Sequence, residues 1–179
     1  MVEALAIIGG VIVVAIVVML ILAARKPNTF RIERSATIQA PPEKVFALIN
    51  DFHEWLQWSP WEKLDPNLNR FHTGAPAGKG ATYEWEGNKK VGKGRMEIKK
   101  STPPKLVSIQ LDFIKPFEAH NTAEFTLTAA NGSTTVNWAM IGQMPFMFKV
   151  MTLFMSMDKM IGKDFEAGLA NMKAVAEKT

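Results

Sequence analysis

Residues 117–140 read FEAHNTAEFTLTAANGSTTVNWAM. Phe117, Ala119, Asn121, Ala123, Phe125 and Leu127 alternate with Glu118, His120, Thr122, Glu124, Thr126 and Thr128. A two-residue period with one apolar face is the signature of a strand half-covered by a core. Asn131-Gly132 then supplies the positive-φ pair that a tight hairpin needs, and Val136, Trp138 and Met140 resume the alternation. This stretch places the chain among proteins built on antiparallel sheets.

The same period runs through Phe30 to Ile38, Ala81 to Glu86, Arg95 to Lys99 and Val107 to Phe113. Between the first two, Pro41 and Pro42 stop a strand and start a helix, with Glu43 at its positive end and Val45, Phe46, Leu48 and Ile49 at helical spacing. Trp55, Trp58 and Trp61 cluster around Ser59-Pro60; they either plug one end of the core or line a ligand entrance. Downstream, Met147, Val150, Phe154, Met157, Ile161, Phe165, Leu169, Met172 and Ala176 recur at three and four residues, which predicts one long helix from Phe146 to about Glu177. A sheet of six or seven strands with one apolar face needs such a cover. The expected class is α+β.

The N-terminus is of another kind. Residues 4–24 are all apolar or Gly, a helix of roughly 31 Å, which matches a bilayer core. A cleaved signal peptide would want basic residues ahead of the run, where only Glu3 stands, and a small residue where Leu22 stands. Residues 1–26 are therefore expected to be a retained anchor and residues 30–179 the domain it holds. Arg25 and Lys26 directly after the run place that domain on the cytoplasmic side. Only Arg25 to Thr29 separate anchor from domain.

Several function classes find no support. All 21 Lys and Arg lie beyond the apolar run, but those of residues 89–100 are interleaved with Glu84, Glu86 and Glu97, a pattern unlike a nucleic-acid patch. There is no Cys, and His53, His72 and His120 are too scattered for a metal site. Gly78-Lys79-Gly80 and Gly92-Lys93-Gly94 continue into no phosphate-binding fingerprint, so no cofactor is expected. Asn131-Gly132-Ser133 is formally a glycosylation sequon, but the turn explains it. Residues 144–157 are rich in Met and Phe, either as plastic core filler or as a compliant gate facing the bilayer.

Taken together, APPEKVFALIND (residues 40–51), WLQWSPW (55–61), VGKGRMEI (91–98), KPFEAHNTAEFTL (115–127) and MDKMIGKDFEAGLANMK (157–173) resemble the polyketide cyclase/dehydrase branch of the START-like, helix-grip superfamily over about residues 30 to 177. The resemblance implies a curved antiparallel sheet gripping the C-terminal helix, with a cavity between them for a hydrophobic ligand. The inward sets above would line it, and small Ala36, Ala81, Gly94, Ala119 and Ala123 between large rings suggest free space. The candidate ligand-binding residues are Trp58, Tyr83, Trp85, Met96, Ile109, Phe113, Asn121, Phe125, Trp138, Met140, Phe154, Asp158, Ile161 and Phe165. Asn121 and Asp158 are the polar members, suited to fixing the polar end of a ligand. The resemblance transfers no residue as catalytic.

The leading expectation is a membrane-anchored binding module for a lipid or other small hydrophobic molecule. The alternatives are a cyclase/dehydrase-like enzyme on an aromatic or polyketide-like substrate, and a packed interaction domain that docks a protein partner at the membrane.

Overall fold

The computed structural model describes residues 2–178; Met1 and Thr179, the outermost residues of the two expected units, lie outside the described residues. Helix α1 spans Val2–Ala24. The first strand, β1 (Thr29–Ile38), begins five residues later. Helix α2 (Pro42–Asn50) and two 3-10 turns, Phe52–Gln57 and Pro60–Lys63, lead to β2 (Asn69–Gly74), β3 (Ala81–Glu86), β4 (Lys93–Thr102), β5 (Leu106–Lys115), β6 (Ala119–Ala130) and β7 (Ser133–Gln143). Helices α3 (Phe146–Met151) and α4 (Met157–Ala176) end the chain.

The seven strands form one antiparallel sheet in the order β1-β7-β6-β5-β4-β3-β2. Hairpins account for every neighbouring pair except β1 with β7, which closes the sheet from its two sequence ends. Asn131 (φ 51) and Gly132 (φ 79) form the β6–β7 turn in the left-handed conformation that Asn-Gly favours. Helix α4 lies against β1 and completes a helix-grip arrangement, in agreement with the expected α+β class.

The Trp-rich segment is a plug. The indole N–H groups of Trp55 and Trp58 donate to the carbonyls of Ile49 (3.0 Å) and Leu48 (2.8 Å) in the last turn of α2. Those carbonyls have no acceptor role left within a helix that is ending, so two buried indoles act as its C-terminal cap. Both rings are buried, and Trp61 meets Trp138 and Phe165 edge-on at 5.7 and 6.3 Å.

Two expected boundaries differ. The single helix over Phe146 to Glu177 is two helices, broken at residues 152–156. Thr152 Oγ1 turns back to the Lys149 carbonyl, and Ser156 Oγ accepts from the Lys159 N–H and caps α4 afresh. Phe117, expected on the inward face of a strand, sits in the β5–β6 turn and is 70% exposed. Pro116 before it has no N–H to give a ladder.

Candidate functional site

The site follows from how unevenly the inner face of the sheet is covered. The strand register aligns Thr29 with Gln143, Asn121 with Gly142, and Phe113 with Ala119 at the end nearest α1, while Ile38, Thr134 and Ala130 lie at the far end. At the far end the packing is dense. Ile38, Ile98, Val107, Ile109, Phe125 and Val136 have no exposed surface, and Leu169 and Met172 of α4 close over them. Trp138 stacks on Phe165 at 4.1 Å with 6° between planes, and on Phe125 at 4.8 Å. Trp58 meets the same cluster edge-on, 5.5 Å from Trp138. This is a solid aromatic core.

Toward α1 the cover thins. Phe30, Leu111, Phe113, Trp85, Asn121 and Ile161 are only half-buried. Thus the fourteen candidate residues divide. Trp58, Tyr83, Met96, Ile109, Phe125, Trp138, Met140 and Phe165 belong to the buried core. Trp85, Phe113, Asn121 and Ile161 flank the looser end, whereas Phe154 (76% exposed) and Asp158 face away from the core. The break between α3 and α4 turns Phe154 outward.

Much of the room expected beside small residues is taken. Ala81 and Ala123 are buried within the core cluster. A Cβ on Gly94 would lie 2.3 Å from the Trp85 ring, its cross-strand partner, so that ring already fills the space. Likewise Gly142 is covered by the Asn121 side-chain oxygen and the Phe30 ring. Gly162 of α4 is covered by the guanidinium of Arg34.

Arg34 projects from the inner face of β1 and clamps α4. Its guanidinium donates to both carboxylate oxygens of Asp158 (2.9 and 3.0 Å) and to Glu166 (2.7 Å). These hydrogen bonds hold the Asp158 carboxyl below the usual carboxylate range. Asp158 is thereby committed to Arg34. The alternation placed Arg34 on the inward face, yet nothing in sequence pairs it with residues more than 120 positions away.

Two other polar clusters were not anticipated. Arg70 and the Tyr83 hydroxyl converge on buried Glu62, each at 2.6 Å. Burial, reinforced by that carboxylate, pushes the Tyr83 hydroxyl up. Beside this triad, His53 and His72 stack at 4.2 Å, and Asp51 binds His53 Nδ1 at 2.7 Å. The Nε2 of His72 is buried without a partner among the described residues. Burial, then the neighbouring His53, lowers its pKa. Phe52, Thr73, Gly74, Ala75 and Thr82 complete a depression of about 120 Å³ around the two rings. A larger one, about 370 Å³, runs along the strands and is lined mainly by polar residues, among them Lys99, Gln110, His120 and Thr122, with Asn121 beside them. There Asp112 holds His120 at 2.8 Å and raises its pKa. Among the described residues no group of His, Asp or Glu is placed to hold a metal ion.

Comparison with known proteins agrees with the geometry. No curated protein matches the chain in sequence. Among solved structures, a protein from Chromobacterium violaceum superposes with a TM-score of 0.60 at 15% identity, covering 86% of this chain and 100% of its own. The di-domain ARO/CYC protein BexL from the BE-7585A biosynthetic pathway gives 0.58 at 13% identity, over 88% of this chain and 53% of its own. The Aha1 protein from Colwellia psychrerythraea gives 0.56 at 17% identity, over 83% and 96%. At such identities the likeness is one of fold. Residues 29–177, every element beyond α1, match the model of one family, and the chain belongs to it: polyketide cyclase / dehydrase and lipid transport.

Proposed function

We propose that this chain is a membrane-anchored binding module for a lipid or other small hydrophobic molecule. In this reading α1 is a single-pass anchor, residues 30–179 form the binding domain on the cytoplasmic side, and the ligand occupies the α1 end of the space between sheet and α4. The observation that carries it is the gradient of packing: a solid core at the far end, and half-buried Phe30, Leu111, Phe113, Trp85 and Ile161 at the end next to an apolar helix. Side chains left half-covered on an otherwise buried face are where an apolar guest gains most by excluding water. Asn121, on the same face, would supply the polar contact.

Native mass spectrometry of the full chain released from lipid nanodiscs, with identification of what stays bound, tests this. One discrete apolar species is expected, and Ala119→Trp, which fills the same end, should expel it. A ligand-free mass across several lipid compositions would overturn the reading and favour a packed interaction domain.

A cyclase/dehydrase-like enzyme is the second reading. It is favoured by the Asp51–His53 pair beside the unpartnered His72 nitrogen, a charge-and-proton arrangement suited to acid-base work. Turnover of a polyketide-like substrate that disappears in His72→Gln would replace the first reading with this one.

A further inference from the structure

Residues 144–157, MPFMFKVMTLFMSM, form α3 and the turn into α4, and they contain a single charged residue, Lys149. That charge is turned inward. Lys149 is 6% exposed, and its ammonium donates to the Lys26 carbonyl (2.9 Å) and the Asn28 side chain. What remains outward is apolar. Phe146, Met147, Met151, Phe154 and Met155 are 45, 70, 50, 76 and 54% exposed. A soluble protein rarely leaves so many large apolar side chains contiguous and uncovered.

Their position relative to α1 says what covers them. The connection between α1 and β1 is short and bonded down. Lys26 donates to the Thr152 carbonyl and hydroxyl, each at 2.8 Å, and the Met144 N–H donates to the Asn28 carbonyl at 2.7 Å. Helix α3 packs on α1, whose side chains are otherwise exposed where described, apart from half-buried Met19 and fully buried Ala23. Met19 and Ala23 are one turn apart on one face, so the contact reaches roughly 6 Å or more into the apolar run from its end. A segment that packs at that depth cannot sit in bulk water if α1 spans a bilayer.

We propose that α3 and the residues that follow it, 146–155, insert into the acyl-headgroup boundary of the leaflet from which α1 emerges, with Met147, Met151, Phe154 and Met155 in contact with lipid. This rests on the reading of α1 as an anchor and adds to it that the domain is docked on the bilayer and not merely tethered. Since β1 and β7 also begin and end at this junction, the looser end of the sheet–α4 space then faces the membrane, and an apolar ligand has a route that avoids water.

The chain has no Cys, so single labels have no background. Nitroxides would be placed by Met147→Cys, Met151→Cys, Phe154→Cys and Met155→Cys, all exposed sites. Ile12→Cys reports the anchor and Asn131→Cys the exposed hairpin. The full chain is reconstituted in phosphatidylcholine vesicles, and collision with oxygen is compared with collision with a water-soluble nickel chelate. Oxygen should dominate at 147, 151, 154, 155 and 12, with the ratio reversed at 131. Nickel dominating at 151 and 154 while oxygen dominates at 12 would overturn the docked leaflet but leave the anchor. Nickel dominating at 12 as well would overturn both. Shielding of 151 and 154 from both reagents would show a second copy of the chain on this face and overturn the lipid assignment.

Discussion

Trp58 and Trp138 sit in one aromatic cluster, 5.5 Å apart, and are 0% and 2% exposed, yet their indole nitrogens differ in one respect. That of Trp58 donates to Leu48; that of Trp138 has no partner among the described residues. Replacement by Phe removes the same part of the indole from each, so the transfer and cavity cost is similar, on the order of 1–2 kcal/mol. Trp58→Phe also strips a helix-terminal carbonyl of its donor in a buried site, a further cost of about 1–3 kcal/mol. Trp138→Phe removes an unsatisfied donor whose burial already costs about 1–3 kcal/mol, so part of its loss is returned. The two variants should therefore differ by roughly 2–4 kcal/mol, with Trp58→Phe the less stable. Urea unfolding of the full chain in micelles, followed by far-ultraviolet circular dichroism, reads this as midpoints separated by roughly 1–2 M at an m-value of about 2 kcal/mol/M. If Trp138→Phe proves as costly as Trp58→Phe, the Trp138 nitrogen has an acceptor in solution, and the view of the far end as a dry, solid core is wrong.

Three further outcomes are expected. The His72 pKa is lowered by burial and then by His53, so the folded chain binds fewer protons there than the unfolded chain; the stability this contributes is complete above about pH 6.5 and falls as the pH drops toward the folded value. Unfolding midpoints from about pH 7.5 to 5.5 should fall less steeply in His72→Gln than in the parent chain, and equal slopes would refute the assignment. Gly94→Ala would put a methyl group into the Trp85 ring and 2.6 Å from the Asp112 carbonyl, so a loss of about 1–3 kcal/mol is expected in the same urea assay. Lys149→Met leaves two acceptors at the α1 junction unmade, costing about 1–3 kcal/mol, and hydrogen exchange should rise at residues 26–28 if the junction is held as described.

What could be read in the sequence was whatever depends on local periodicity. The β6–β7 hairpin, the first turn of α2 and the apolar faces of β1 and of β3 to β7 follow from spacings of two or four residues and stand where expected, whereas β2, with no buried residue, has no such face to read. What failed to show depends on partners. The stripe from Met147 to Ala176 is continuous because both halves are apolar, but Phe165 and Leu169 face the sheet while Met147 and Phe154 face outward. Periodicity records that a face is apolar and is silent on what it meets. The space inferred beside Gly94 vanished once the register set Trp85 opposite it. Arg34 with Asp158, and His53 with His72, join positions that only the closed sheet brings together. Of the candidate residues, those on the strands were legible from the alternation, but Phe154 and Asp158 were misplaced by the unbroken stripe, and the division into a packed end and a loose end did not show.

That division has a physical cause in the way α4 is held. Close over the far end, Gly168 lets the helix approach Trp138, where a Cβ would lie 2.8 Å from the ring, and the stack of Phe165 on Trp138 fixes the distance. Along the edge strand β1 the spacer is different. Arg34 lies between β1 and α4 in the room left by Gly162, and its charge is matched by Asp158 and Glu166, whose side chains are 58% and 59% exposed. Ion pairs that reach water cannot replace apolar contacts as a seal, because water competes for them and screens them. Helix α4 is thus fastened by packing against β7 and by a solvated clamp along β1. Because Arg34 pairs with Trp138 across the β1–β7 ladder, stack and clamp hold α4 at one level of the sheet, and the half-buried Phe30, Leu111 and Asn121 lie beyond that level, toward Thr29.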